Sequence, residues 1–342
     1  MLQTVAAATA GTVLVLVIGI SAYAFGSFFL MGRHVGARQI GRSLRELVRE
    51  LWIAALTQPL LPLFYFVGYR MDGFWARRGR EGIAKANAKA TAKADADEKA
   101  DAKADAKADA KADPIAEVSA TQSGVPIVFV HGYMQNRVGF LGLARSLARR
   151  GLGPMFGFNY PWFSSMESNA ARLERFVERV CSETGSGGVD LVCHSMGGLI
   201  AMELLRDEAR KAALKVRRVV TIATPHAGVM WRGPIIGVGA TSLRRGSKLL
   251  EAHAGVKLAV PCLSVYSTHD NIVHPKESSS LALRGGRDIE IDDGPAHLAI
   301  LFSPKVADHV AGFLGEADKP AASAAVVIDP APAPAPESLR EA

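Results

Sequence analysis

The run Val189-Asp190-Leu191-Val192-Cys193-His194-Ser195-Met196-Gly197-Gly198-Leu199-Ile200-Ala201 constrains this chain more than any other stretch. Val189 to Val192 reads as a short buried strand, and Leu199 to Leu205 as the body of a helix. Between them stand a serine and two glycines, which leaves room only for a sharp turn. A strand that turns straight into a helix lifts its apex residue out of the sheet and aims the helix's first N–H groups at it. A hydroxyl at that apex is placed for attack, and an anion forming beside it meets ready donors. Taken alone, the same serine also reads as a helix cap, so its meaning depends on partners elsewhere in the chain.

The surrounding sequence, Pro126 to Leu314, alternates apolar runs with amphipathic ones. Strands are expected at Val125–Val130, Met155–Tyr160, Val216–Ile222, Leu258–Tyr266 and, more weakly, Asp288–Ile291. Helices are expected at Val138–Arg150, Ser168–Cys181 and Leu298–Leu314. Strands alternating with helices imply an α/β domain, a mostly parallel sheet covered by helices on both faces. Residues 120–315 are assigned to it.

Outside that domain the composition changes. Met1 to Gly32 holds no charged residue, and 13–31 is long enough to span a bilayer, which takes roughly 20 residues. Ala22-Tyr23-Ala24 resembles a signal-peptidase site, but no basic segment precedes the apolar run and it continues through Leu30, which favours an uncleaved anchor. A second apolar segment, 51–69, is interrupted by Gln58, Pro59 and Pro62; it either crosses the membrane or lies in its interface. Residues 1–80 carry nine arginines, no lysine and three acidic residues (Glu46, Glu50 and Asp72), which accounts for nearly all of the net charge of +7. The rest of the chain is close to neutral. Positive charge that hugs apolar segments fits a lipid surface and argues against nucleic acid. Residues 1–80 are therefore read as an anchor region with N-terminal membrane helices, in keeping with location at a bacterial inner membrane, the side of the catalytic domain left open.

Residues 81–119 include repeated Lys-Ala-Asp-Ala, a solvated tether with too little apolar surface to form a core. Residues 316–342, rich in alanine and proline, are expected to be disordered. The cysteines, Cys181, Cys193 and Cys262, are odd in number and lack metal-like spacing. No P-loop, dinucleotide glycine motif or metal cluster is present, so no cofactor and no metal are implied.

The His194-Ser195-Met196-Gly197-Gly198 segment resembles the nucleophile elbow of the α/β-hydrolases, in the version common in bacterial lipases and esterases. Cys193 stands where that family usually has its first glycine. Four further segments strengthen the resemblance. Ser267-Thr268-His269-Asp270-Asn271-Ile272-Val273-His274-Pro275 looks like the family's acid loop, and Gly294-Pro295-Ala296-His297 like its histidine loop. Val130-His131-Gly132-Tyr133-Met134 resembles the oxyanion loop, and Ala223-Thr224-Pro225-His226 a turn that shapes the site.

The resemblance implies a serine nucleophile, Ser195, a base, His297, and an orienting acid, Asp270, with the N–H groups of Tyr133 and Met196 as oxyanion donors. His269 and His274 compete with His297, but they crowd the acid and precede the last strand. Asp292 and Asp293 compete with Asp270, but they sit too close in sequence to the histidine. His131 and His194 are expected to support or pack. Residues 229–255, apolar and glycine-bearing, read equally as a mobile lid or as ordinary core.

The implied activity is hydrolysis of carboxylic esters, with an ester or lipid-like small molecule and the bilayer as partners. The same residues could serve an acyl-thioesterase or acyltransferase, and a degenerate, membrane-tethered interaction module is the reading from outside the enzymes.

Overall fold

The computed structural model describes residues 37–57, 124–206, 215–230, 235–292 and 294–316, together with scattered positions between Ala7 and Gly26. The tether, the C-terminal tail and most of both apolar N-terminal segments lie outside the described residues.

Among the described residues six strands form one sheet: β1 (Ile127–Val130), β2 (Met155–Phe158), β3 (Val189–His194), β4 (Val216–Ile222), β5 (Cys262–Ser267) and β6 (Arg287–Ile291). Their order across the sheet is β2-β1-β3-β4-β5-β6, and every neighbouring pair is parallel. Parallel neighbours need crossovers: α2 (Leu141–Arg149) links β1 to β2, α3 (Met166–Thr184) β2 to β3, α4 (Met196–Arg206) β3 to β4, the short α5 (Val238–Thr241) and α6 (Lys248–Ala254) β4 to β5, and two 3-10 turns β5 to β6, while α7 (Pro304–Leu314) follows β6. An additional helix, α1 (Ala37–Thr57), precedes the domain.

Strand alternation sorts the core into two layers. Ile127, Phe129, Val192, Val220 and Val265 face α2 and α7, where Leu143, Leu147, Val306, Val310 and Phe313 meet them. Val128, Val130, Leu191 and Val219 face the other way, onto Leu173 and Val177 of α3 and Leu199 and Ile200 of α4. With both faces covered, β1 and β3 are buried along their whole length, which is why β1 reads as an unbroken apolar run and β3 as a mostly apolar one in which Asp190 pairs with Arg217.

Several boundaries differ from those expected. The closing helix is divided: a 3-10 turn covers Ala299–Phe302, and α7 starts afresh at Pro304. Pro304 has no N–H to continue the first helix, whereas its fixed φ suits the first position of a new one, with the Ser303 hydroxyl accepting from the Val306 N–H. The helix expected at Val138–Arg150 likewise begins with a 3-10 turn, Arg137–Phe140, capped by the Asn136 side chain. The strand expected from Leu258 starts only at Cys262, immediately after Pro261.

The segment read as lid or core is part buried and part exposed. Ala240, Leu243 and Leu250 are buried, while Ile236 and Val238 stay exposed beside Phe163. Of the second apolar segment, residues 51–57 form the last turns of α1, with Ala54 buried; the remainder lies outside the described residues.

The start of α4 is wedged against the ends of β1 and β4. A Cβ on Gly197 would stand 2.3 Å from the Val130 carbonyl oxygen and 2.5 Å from that of His131. Both are backbone atoms that cannot swing aside. Gly197→Ala is therefore expected to destabilise the domain by about 1–3 kcal/mol, as overpacking does. Gly187→Ala, where nothing lies within 4 Å of the added carbon, should change stability by no more than about 0.5 kcal/mol. Thermal or chemical denaturation of the two variants checks the contrast.

Candidate active site

Three non-glycine residues have positive φ among the described residues: Met134 (52°), Ser195 (52°) and Ala223 (51°). They directly follow, or lie just beyond, the C-terminal ends of β3, β4 and β1, so the unusual backbone is concentrated at one edge of the sheet. Such conformations cost on the order of 1–3 kcal/mol each and persist where the surrounding structure holds them.

Ser195 is the apex between β3 and α4. Its N–H donates to the Ile222 carbonyl at 2.9 Å, and its own carbonyl accepts from the Gly198 N–H at 3.0 Å. Gly198 has to be glycine because a Cβ there would meet the Thr224 hydroxyl at 2.2 Å. Cys193 occupies the position where the resembled family has glycine. It is the penultimate residue of β3, paired with Val130 and Thr221, and its side chain is buried in the core rather than crowding the turn.

The edge brings Ser195, His297 and Asp270 together. His297 Nε2 lies 3.0 Å from Ser195 Oγ. His297 Nδ1 faces Asp270, 2.8 Å from Oδ2 and 3.1 Å from Oδ1. Asp270 is fixed in turn, since its Oδ1 accepts from the N–H groups of Ile272 and Val273, both at 2.8 Å. The loop bearing His297 is pinned as well: Asn271 Oδ1 accepts from the His297 N–H at 3.1 Å, and His194 Nε2 donates to the His297 carbonyl at 3.0 Å. His194 and Asn271 thus hold the backbone on either side of the imidazole.

The electrostatics follow from burial and these partners. Burial disfavours the imidazolium of His297, but the Asp270 carboxylate outweighs it and leaves the pKa above the usual imidazole value. For Asp270, burial opposes ionisation, yet His297 and the two backbone N–H groups hold it below the usual carboxylate range. The other imidazoles behave differently. Burial pushes His131 down to about 4 and His194 to about 3, so both are neutral near pH 7. His131 stacks on Tyr160, ring centroids 4.1 Å apart.

The rival residues lie elsewhere. His269 Nδ1 pairs with the neighbouring Thr268 hydroxyl at 3.0 Å, and burial lowers His274. Asp292 lies 3.5 Å from the Thr268 hydroxyl, and Asp293 falls outside the described residues. His226, in the Thr-Pro-His turn, packs its Nε2 against the Thr221 hydroxyl at 3.1 Å.

Gly132 lies close over the serine; a Cβ there would approach Ser195 Cβ to 3.0 Å. The next residue, Tyr133, reaches the other way. Its hydroxyl donates to the Ile236 carbonyl at 2.9 Å and accepts from the Ile236 N–H at 3.1 Å, tying the loop after β1 to the exposed tip of 235–238. Met196 opens α4, so its N–H has no carbonyl ahead of it within the helix. Ser195 itself is only 7% exposed. Among the described residues no group of His, Cys, Asp and Glu could hold a metal ion.

One residue of this cluster is invisible in the sequence pattern. Glu50, on α1, is 2% exposed and accepts from the N–H groups of Leu298 (2.8 Å) and Ala299 (3.1 Å), directly after His297.

In architecture the domain is an α/β fold around a six-stranded parallel sheet. A family model described as a domain of unknown function (DUF7379) matches residues 93–231. Among solved structures, the mature Bacillus licheniformis lipase BlEst2 is 16% identical, with 59% of this chain and 96% of that chain covered and a TM-score of 0.46. Aspergillus fumigatus lipase B is also 16% identical, over 57% of this chain and 54% of that one, with a TM-score of 0.48. The product of Listeria innocua gene lin2722 is 17% identical, over 58% and 96%, with a TM-score of 0.46.

Asp270 is the main group that raises the His297 pKa, so Asp270→Asn should lower it. In a histidine NMR titration the ring signal absent from a His297→Asn variant should move its midpoint to lower pH by at least about one unit, the scale of a close ion pair's effect.

Proposed function

We propose that this protein is a membrane-anchored serine hydrolase that cleaves carboxylic esters, most effectively esters with an apolar acyl chain. The supporting observation is the continuous line of contacts from Ser195 Oγ to His297 to Asp270. A seryl hydroxyl is a weak nucleophile until a base takes its proton, and the only imidazole within hydrogen-bond distance of Ser195 among the described residues is His297.

In this reading Ser195 attacks the ester carbonyl as His297 takes its proton, and Asp270 keeps the ring oriented and stabilises the imidazolium. The N–H groups of Tyr133 and Met196 hold the oxyanion, a contribution of about 2.7–4 kcal/mol per donor in comparable sites. His297 then passes the proton to the leaving alcohol, and the acyl group stays on Ser195. Water, deprotonated by the same imidazole, attacks the acyl-enzyme and releases the acid. Every step uses residues of this chain, and no cofactor enters.

The preference for apolar acyl groups is supported by Phe163, Ile236 and Val238, large exposed side chains grouped at the cap tip that Tyr133 ties down. Membrane association is supported by the uncharged stretch 1–32 and by α1. Leu44, Val48, Trp52 and Leu56 recur every four residues on that helix and are all exposed, a continuous apolar stripe beside exposed Arg45 and Arg49. Among the described residues no helix is long and apolar enough to cross a membrane; the segment 13–31, most of which is only intermittently described, is the proposed span.

The decisive test is covalent labelling. A fluorophosphonate probe should label the wild-type protein stoichiometrically, and Ser195→Ala should abolish labelling and lower kcat on p-nitrophenyl esters by about 10⁴-fold or more. Absence of wild-type labelling would overturn the enzyme reading and leave the tethered module. Because His297 must be neutral to act as base and its pKa is raised, kcat/KM should rise with pH along a limb centred above the ordinary imidazole value of 6.5. A series of oxyesters of increasing chain length, run beside matched thioesters, should show the highest kcat/KM on long-chain oxyesters; faster thioester turnover would favour the thioesterase.

A further inference from the structure

The buried carboxylate of Glu50 takes no part in the mechanism above, yet it sits against the base. It comes from α1, a helix separated in sequence from the catalytic domain by the whole tether. Both of its oxygens are used, Oε1 by the Leu298 N–H at 2.8 Å and Oε2 by the Ala299 N–H at 3.1 Å. Those two N–H groups open the 3-10 turn Ala299–Phe302, and no preceding helical carbonyl can satisfy them. An anion at the start of such a turn is favoured by the N–H dipoles that converge there. The turn begins two residues after His297, so the same bonds that satisfy it also fix where the imidazole emerges.

We propose that Glu50 is a positioning residue for His297, which makes α1 a working part of the catalytic unit and ties the histidine loop to the membrane-proximal segment. This rests on the hydrolase reading for its consequence in catalysis, but the contact itself does not. Asn271, His194 and Glu50 hold the loop at three successive places: the His297 N–H, the His297 carbonyl, and the N–H groups beyond it. Removal of Glu50 frees the last of these and leaves two buried N–H groups without acceptors.

Charge adds a second effect. The groups facing His297 are Asp270 from the loop after β5, His194 from the end of β3, and Glu50 from α1; His194 is neutral. Glu50 favours the imidazolium and adds to the larger effect of Asp270. Glu50 itself is lifted by burial to about 7, against the pull of the Leu298 N–H and of His297.

The test uses the full-length chain and Glu50→Gln, which preserves shape and one acceptor oxygen but not the charge. The expected result is a His297 ring titration displaced to lower pH and an acid limb of kcat/KM displaced with it. The kcat should fall by about 10-fold while KM stays within about twofold, since misplacement of a base slows chemistry more than binding. An unchanged ring titration together with wild-type kcat would overturn the proposal. Glu50→Asp serves where the glutamine variant does not fold: it keeps the charge but is one methylene too short to reach both N–H groups. Lowered kcat with the ring titration retained supports positioning, and wild-type kcat overturns it. If the wild type hydrolyses no ester while the glutamine variant still displaces the ring titration, the hydrolase reading fails and the contact stands. Normal wild-type turnover with an indifferent glutamine variant gives the reverse.

Discussion

The structure depends on how closely α4 can approach the ends of β1 and β4. Gly197 brings that helix onto the carbonyls of Val130 and His131, and Gly198 brings it onto Thr224, at distances no side chain would permit. Ser195, forced to φ of 52°, is the residue left at the apex when a fully buried strand runs into a helix seated this tightly. The strain is maintained because both sides are anchored, the N–H to Ile222 of β4 and the carbonyl to Gly198 of α4. Without the two glycines the helix would stand off, its first N–H groups would lose their aim, and the hydroxyl would drop toward the sheet.

The second requirement is that a loop more than a hundred residues away arrives at the same point. Loops are positioned by their backbone hydrogen bonds, and this one is unusually well supplied. Its partners come from β3 through His194, from the loop after β5 through Asn271, and from α1 through Glu50. The parallel sheet makes this possible, since β3, β4 and β5 all end at the edge where Ser195, Ala223 and Asp270 stand. Three elements distant in sequence are then neighbours by topology alone.

What could be read from the sequence follows the range of each interaction. The strands and the elbow were legible because alternation, burial on both faces and a glycine pair are local signals. That Asp270 and His297 would meet Ser195 was suggested by chain order and by their placement after strands, and the contacts among the three are present. The break at Ser303–Pro304 was missed although its signal was present, a proline preceded by a capping serine, because the apolar periodicity continues across it. Glu50 was legible only as one of three acidic residues among nine arginines. Nothing near it in sequence marks it as buried, since its partners are backbone groups nearly 250 residues away and backbone groups leave no trace in composition. Asn271 shares that difficulty: it reads as a turn residue beside the acid, and its role is to accept from the backbone N–H of His297.

The cluster also shows why one buried imidazole among several holds its proton more tightly than the others. His131, His194 and His297 are all buried, and burial alone lowers the proton affinity of each. His131 and His194 meet mainly neutral partners, a tyrosine ring and backbone carbonyls, so desolvation wins and they remain uncharged. His297 alone meets a carboxylate at its Nδ1 and a second within electrostatic reach, and there the sign reverses. The difference lies not in the residue type but in two acidic side chains delivered by elements at opposite ends of the chain. One of them, Asp270, is held ionised by His297 first and then by N–H groups of its own loop; the other, Glu50, owes its place to the docking of α1. The proton affinity of His297 is therefore set partly by the α/β domain and partly by a helix whose opposite face, Leu44, Val48, Trp52 and Leu56, is turned outward.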